Sequence, residues 1–161
     1  MRRVKARVSI FLIIILFACL GVAGNELRNK CTFKASLSGD EEVPPVKTKA
    51  KGETKFQVNK EGNKLTYNLI ISNIKDITAA YVQKGKNGEN GPPVVNLFAE
   101  PKRENVSGTF LSEGKVEPYL LIGPLKGKSL ESLIQFIEAG ETYVNIRTKR
   151  YPDGEIRGQI K

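Results

Sequence analysis

Hydrophobic and polar residues alternate along much of the chain after position 31. In the first such run, 31–38, Phe33, Ala35 and Leu37 share one face. Successive side chains of a strand point to opposite faces, so this period of two indicates half-buried β-strands. The predicted strands are 31–38, 53–58, 64–71, 78–83, 94–98, 106–111, 142–148 and 155–160. The pattern therefore predicts about eight short strands.

The segment 129–139 follows a different period. Its apolar residues recur at helical spacing, at Leu130, Leu133, Ile134 and Ile137. Ser129 is suited to cap the beginning of a helix, and Gly140 is suited to end it. We therefore expect one short helix near 129–139, packed on the strands.

Turn residues separate the strands. Gly62 and Asn63 lie in segment 60–63, which predicts an antiparallel hairpin between the second and third strands. Segment 84–93 is rich in Gly, Asn and Pro and predicts a long loop, and 151–154 reads Tyr-Pro-Asp-Gly, a turn sequence. Helices do not alternate with the strands. The fold class is therefore all-β, an antiparallel β-sandwich or Greek-key barrel.

The N-terminal residues have the pattern of a secretory signal peptide, predicted over residues 1–24. Four basic residues precede position 8, segment 8–20 has no charge, and small residues occupy 21–24. Three outcomes stay open. Signal peptidase would cut after Ala23 or Gly24; alternatively, 16–19 is a lipobox, the signal ends at 18 and Cys19 is lipidated; or the segment is an uncleaved anchor. Residues 25–30 would be a short linker and 31–161 the β domain.

Without the signal, about 137 residues remain, enough for one domain with its own core. The net charge of +9 falls to about +5, because residues 1–24 hold four basic residues and no acid. The lysines are scattered and not interleaved with aromatic residues. This argues against nucleic-acid binding and favours weak attraction to anionic polymers of a cell surface.

The residue inventory excludes most catalytic devices. The chain has no histidine, which rules out Ser-His-Asp and Cys-His catalysis and leaves few ligands for a transition metal. If Cys19 is removed or lipidated, Cys31 has no intramolecular partner for a disulfide. The acids at 40–42 are interpreted as a solvated turn and the glycines of 85–91 as a flexible turn. No catalytic, cofactor-binding or metal-binding residue is predicted.

Several segments together resemble a known family. They are 33–39, Glu-Val-Pro-Pro-Val at 42–46, 62–67, 78–83, 85–95, 143–148 and Tyr-Pro-Asp-Gly-Glu-Ile-Arg-Gly-Gln at 151–159. Their order and spacing resemble the CHRD domain, which is named after chordin and also occurs in exported microbial proteins. The resemblance implies an all-β sandwich or barrel, and in chordin-like proteins the domain belongs to extracellular binders of growth factors.

The chain departs from the family pattern at three positions. The resemblance implies Ala-His-Ile-His where this chain has 80–83, and Val-His-Thr where it has 146–148. The three histidines are replaced by Tyr81, Gln83 and Arg147. If other members bind a metal through these histidines, this chain has lost every nitrogen ligand. Tyr81, Gln83 and Arg147 are instead a candidate interaction surface.

These observations predict a non-catalytic, secreted or otherwise extracytoplasmic CHRD-domain protein without a cofactor. The expected role is to bind a protein or a cell-envelope polymer. The alternatives are a structural envelope lipoprotein, or a hydrolase or redox enzyme with a carboxylate-based site. We expect a monomer, no nucleic-acid partner, and peripheral membrane association only if Cys19 is lipidated.

Overall fold

A computed structural model describes residues 32–98 and 109–161. These contain eight strands and one α-helix: β1 Thr32–Ser38, β2 Lys51–Val58, β3 Leu65–Ser72, β4 Ile77–Lys84, β5 Pro93–Phe98, β6 Thr109–Val116, α1 Leu130–Glu138, β7 Thr142–Thr148 and β8 Ile156–Gln159. Short 3-10 turns lie at Gly39–Glu41, Pro118–Leu120 and Gly123–Leu125. The signal segment, Cys19 and Cys31 lie outside the described residues.

The strands form one antiparallel sheet in the order β5-β4-β7-β8-β1-β2-β3-β6. The sheet curls into a nearly closed barrel, because its two end strands, β5 and β6, come close to each other. The Tyr67 hydroxyl on β3 donates a hydrogen bond to the Leu97 carbonyl on β5, across this junction. The prediction of an all-β antiparallel domain is confirmed, and the sheet has the barrel form.

The alternating residues predicted to face inward form the core. Phe33, Ala35 and Leu37 of β1 are buried, and so are Leu65 and Leu69 of β3. Burying an aliphatic or aromatic side chain contributes about 1.5–3 kcal/mol, so such rows of residues supply most of the driving force for folding. The hairpin predicted between the second and third strands is the β2–β3 pair.

Helix α1 packs on this core through Leu130, Leu133 and Ile137, as its spacing predicts. Gly140 has a positive φ of 68° and ends the helix. Ser129 occupies the N-cap position as predicted, but its side chain makes no capping hydrogen bond. The Ser129 hydroxyl lies 3.3 Å from the Ser132 hydroxyl, and the Ser129 carbonyl accepts the Ser132 N–H instead.

Strand β6 extends further than the alternation indicated. The expected strand was 106–111, whereas β6 continues to Val116 and pairs with β3 over its whole length. The apolar pattern fails here because polar residues and Gly114 occupy this part of the strand. Gly114 is required by close packing, since a Cβ at this position would lie 2.7 Å from the Tyr67 hydroxyl.

The 151–154 turn forms as predicted between β7 and β8. The Gly154 N–H donates to the Tyr151 carbonyl at 3.2 Å, which closes a four-residue turn with Pro152 in its second position. Gly154 has a φ of 152°. The turn therefore brings the chain back beside the outer face of β7.

Candidate functional site

Polar residues line the outer face of strands β4, β7 and β8. On β7, Tyr143 and Asn145 alternate with the core residues Val144 and Ile146. Two rows of facing residues cross the three strands: Tyr81 opposite Asn145 opposite Arg157, and Gln83 opposite Tyr143 opposite Gln159. In an open sheet this face would be solvated, but Gln83, Asn145 and Arg157 are all buried.

Arg157 is fixed at the centre of this face. Its guanidinium lies 3.5 Å from the centre of the Tyr143 ring, a cation–π contact. It also donates to the Asn90 side-chain oxygen at 3.2 Å and to the Lys86 carbonyl at 2.9 Å. A buried arginine needs such partners, because an unpaired buried charge is strongly destabilising. Arg157 therefore fastens the loop between β4 and β5 to the barrel.

Two loops cover the polar face. Gln159 donates to the Gly85 carbonyl at 3.0 Å, and Gln83 donates to the Gly91 carbonyl at 2.8 Å. The Gly91 N–H donates to the Tyr143 hydroxyl at 3.0 Å. The side chain of Asn90 then reaches the second loop and donates to the Val43 carbonyl at 2.7 Å. The glycine-rich loop, interpreted from sequence as a flexible turn, is thus anchored by several side-chain hydrogen bonds.

Glu42 enters the site from the second loop. Its carboxyl group accepts two contacts from the Asn145 amide, at 3.0 and 3.2 Å. Burial raises the pKa of Glu42 from its ordinary value of 4.5 to about 7, while the positive charges of Arg157 and Arg147 oppose part of that rise. With this raised pKa, the Glu42 carboxyl group titrates near neutral pH.

An open cleft of about 390 Å³ lies between segment 42–46 and the turn at 150–154. Gln83, Asn145 and Arg147 contribute to its lining. We call this depression the Glu42 cleft. It combines buried polar groups with arginine side chains and the apolar surface of proline rings, so it can offer a ligand both hydrogen bonds and apolar contact.

The structure brings together two of the three residues of the candidate interaction surface. The Arg147 guanidinium lies 5.1 Å from the centre of the Tyr81 ring, and both side chains are partly exposed. Gln83 is buried and bonded to Gly91, so it contributes to the lining of the cleft rather than to an open surface. Tyr81 lies beside the cleft and contacts Arg147.

The interpretation of all three acids at 40–42 as a solvated turn is wrong for one of them. Asp40 and Glu41 are exposed in the 3-10 turn, but Glu42 is only 6 % exposed. A run of three acids gives no sequence signal that the last one turns inward. The buried partner, Asn145, lies 103 positions further along the chain.

The family of this chain follows from a match between its sequence and a known protein family. The sequence matches the CHRD domain over residues 33–160, nearly all of the described chain. The chain belongs to the CHRD-domain family. Neither the curated protein sequences nor the solved structures gave a significant match to this CHRD domain.

The motifs that carry the family resemblance converge on the Glu42 cleft. Glu42 belongs to the Glu-Val-Pro-Pro-Val segment, Gly91 to the glycine-rich loop, Asn145 to the 143–148 strand and Gly154 to the last motif. This CHRD domain therefore builds its site from segments distant in sequence. These residues belong to the segments that resemble the family, but their sequence pattern alone assigns no site to Glu42, Asn145 or the buried Arg157.

Neither a metal centre nor a membrane helix is found in the described ranges. In residues 32–98 and 109–161 no group of three or more His, Cys, Asp or Glu side chains is arranged to hold a metal ion. Over the same ranges no helix has the length and apolar character needed to cross a bilayer. The Glu42 cleft offers amide, carboxyl and guanidinium groups, which suit hydrogen-bonded recognition of a polar ligand.

Proposed function

We propose that this CHRD domain is a non-catalytic recognition module that acts outside the cytoplasm and binds a protein or a cell-envelope polymer through the Glu42 cleft. The observation that carries the proposal is the buried polar lining of the cleft. Asn145 and Gln83 are almost completely buried there, and the loops above them are anchored to the barrel. Such preorganised polar groups favour binding, because little conformational entropy is lost when a ligand arrives.

The N-terminal sequence supports the proposed location. Its basic start, uncharged segment and small residues have the pattern of an export signal. Export would remove the domain from most nucleic acid and expose it to proteins and polymers of the envelope. If Cys19 is lipidated, the domain would act while tethered to a membrane surface.

A pull-down by chemical cross-linking on the native cell surface tests the proposal. The bait is the exported protein. A second bait, the cleft variant, carries both Arg147→Gln and Arg150→Gln. A control variant, Lys55→Gln with Lys115→Gln, removes the same charge from exposed positions on β2 and β6. We expect the protein and the control to capture one partner that the cleft variant loses. A partner that the cleft variant keeps would contradict a binding role for the cleft.

One observation favours a second candidate, a hydrolase. A carboxyl group with a raised pKa in a cleft is a feature of general acids, and Glu42 has both properties. Glycoside hydrolysis also needs a second carboxylate facing the first. Asp153 lines the same cleft but is exposed on the turn. Release of reducing ends from an envelope polysaccharide, lost in Glu42→Gln, would favour the enzyme over the binding module.

A further inference from the structure

Two polar atoms around the Glu42 cleft have unused hydrogen-bonding capacity. Asn145 Oδ1 and Arg147 Nε are both buried, and neither has a hydrogen-bond partner among the described residues. Leaving a buried polar atom unpaired is destabilising, so each such atom in a folded protein calls for an explanation. Both side chains line the cleft, so a ligand seated there is a candidate partner for the two atoms. The site thus offers one acceptor and one donor.

The cleft and the surface around it carry charges of both signs. Arg147 and Arg150 both line the cleft. Arg150 also borders two adjoining depressions, whose linings include Lys47, Lys49 and Lys75. The acidic residues of those depressions are Asp40, Asp76 and Glu155, and the Glu155 carboxylate already accepts hydrogen bonds from the hydroxyls of Thr48 and Thr148. The cleft itself also contains Glu42 and Asp153. The net charge is therefore not decisive, but the two arginines of the cleft supply the donors that one carboxylate of a ligand requires.

A bare inorganic anion does not suit the whole site. Glu42 and Asn145 Oδ1 are acceptors, and they need a ligand that donates hydrogen bonds as well as one that carries negative charge. Pro44, Pro45 and Pro152 add apolar surface to the walls. A sugar that carries a carboxylate has all three properties, because it has hydroxyl donors, apolar C–H faces and an anionic group.

The sheet topology argues against an extended acidic peptide. Such peptides commonly bind by adding a strand to an open sheet edge. In the described part of the chain the end strands β5 and β6 lie next to each other, and the Tyr67–Leu97 hydrogen bond spans the gap. The Glu42 cleft is instead a compact depression of about 390 Å³, within the range of small-ligand sites.

We propose that the Glu42 cleft binds an acidic sugar, with its carboxylate held by Arg147 and Arg150 and its hydroxyl groups held by Glu42 and Asn145. The proposal rests on the proposed binding function and names the class of ligand. Arginine pairs with carboxylates through two parallel hydrogen bonds, and this geometry gives the site its selectivity for the anionic group. The ligand would be one unit of an acidic polysaccharide.

Calorimetric titration of the exported protein with oligogalacturonate tests the ligand class. Oligogalactose serves as the uncharged probe, and polyglutamate serves as the carboxylate probe without sugar hydroxyls. We expect oligogalacturonate to bind at least about tenfold more tightly than either, because a hydrogen bond to a charged group is worth about 1.5–3 kcal/mol. Arg147→Gln with Arg150→Gln should weaken binding by about tenfold or more, whereas Lys55→Gln with Lys115→Gln should retain it.

A second readout locates the ligand. The Nε–Hε resonance of Arg147 should shift on addition of oligogalacturonate and should not shift with oligogalactose. Equal affinity for polyglutamate, or equal weakening in the Lys55 and Lys115 control, would overturn the proposal in favour of diffuse charge attraction. If no sugar binds but the pull-down partner still depends on Arg147, the ligand class is wrong and the binding function stands. If no sugar binds and capture of the partner does not depend on Arg147, both proposals fail.

Discussion

Replacing Glu42 with glutamine should change how the stability of the domain depends on pH. The folded protein holds the Glu42 proton more tightly than the unfolded chain does, because burial raises the pKa from 4.5 to about 7. The free energy of unfolding therefore falls as pH rises through this window. At about 1.4 kcal/mol per pH unit the full effect is about 3.5 kcal/mol. Solvent in the cleft screens part of it, so we expect about 2 kcal/mol.

Urea unfolding at constant ionic strength, from pH 5 to pH 8, measures the effect. Glutamine cannot ionise, so the free energy of unfolding of Glu42→Gln should gain about 2 kcal/mol relative to the unaltered protein across this range. The control is Glu41→Gln, which removes a carboxylate from the exposed neighbouring position. The reasoning is refuted if the unaltered protein and Glu42→Gln differ by the same free energy at every pH.

Three further outcomes are expected. Gly154→Ala should lower the free energy of unfolding by about 2 kcal/mol or more, because the new Cβ would lie 2.3 Å from the Asn145 amide nitrogen. The control is Gly62→Ala, where φ is also positive but the space around the new Cβ is open, and it should cost about half as much. A similar loss at both positions in thermal melts would show that backbone strain alone is responsible. Arg157→Met should lower the free energy of unfolding by about 2 kcal/mol, because the hydrogen bonds to Asn90 and Lys86 are lost, and should make segment 85–91 sensitive to limited proteolysis. Unchanged cleavage would show that the bonds from Gln83 and Gln159 hold the loop without Arg157. Elemental analysis of untagged protein should find no stoichiometric zinc or copper; one equivalent of either would contradict the prediction, made from the lack of histidine, that no such metal is bound.

The strands and the helix could be predicted because each is determined by a local period. Phe33, Ala35 and Leu37 repeat every second residue, and Leu130, Leu133 and Ile137 repeat at helical spacing, so burial follows from spacing alone. Prediction failed where pairing with a neighbour overrides composition. The polar end of β6 becomes a strand because β3 offers a partner along its whole length.

The site was harder to predict from the sequence than the fold, because its residues are polar and occupy positions that the alternating pattern assigns to solvent. Asn145 and Arg157 are on the outer face of their strands, and they become buried only when two loops fold over them. That covering depends on contacts between residues far apart in sequence, such as Glu42 with Asn145. The substituted histidine positions led to Gln83 and Arg147 in the cleft lining and to Tyr81 beside it, but not to Glu42 or Asn145.

The meeting of β5 and β6 has a consequence for how copies of this protein can associate. Fibrils grow when an unpaired strand accepts another chain along its backbone, and natural proteins protect such strands against this. Here the Leu97 carbonyl at the end of the sheet accepts a hydrogen bond from the Tyr67 hydroxyl, and Val95 forms an antiparallel β-bridge with Leu121. Over the described residues, the backbone at this junction is therefore a poor template for cross-β growth.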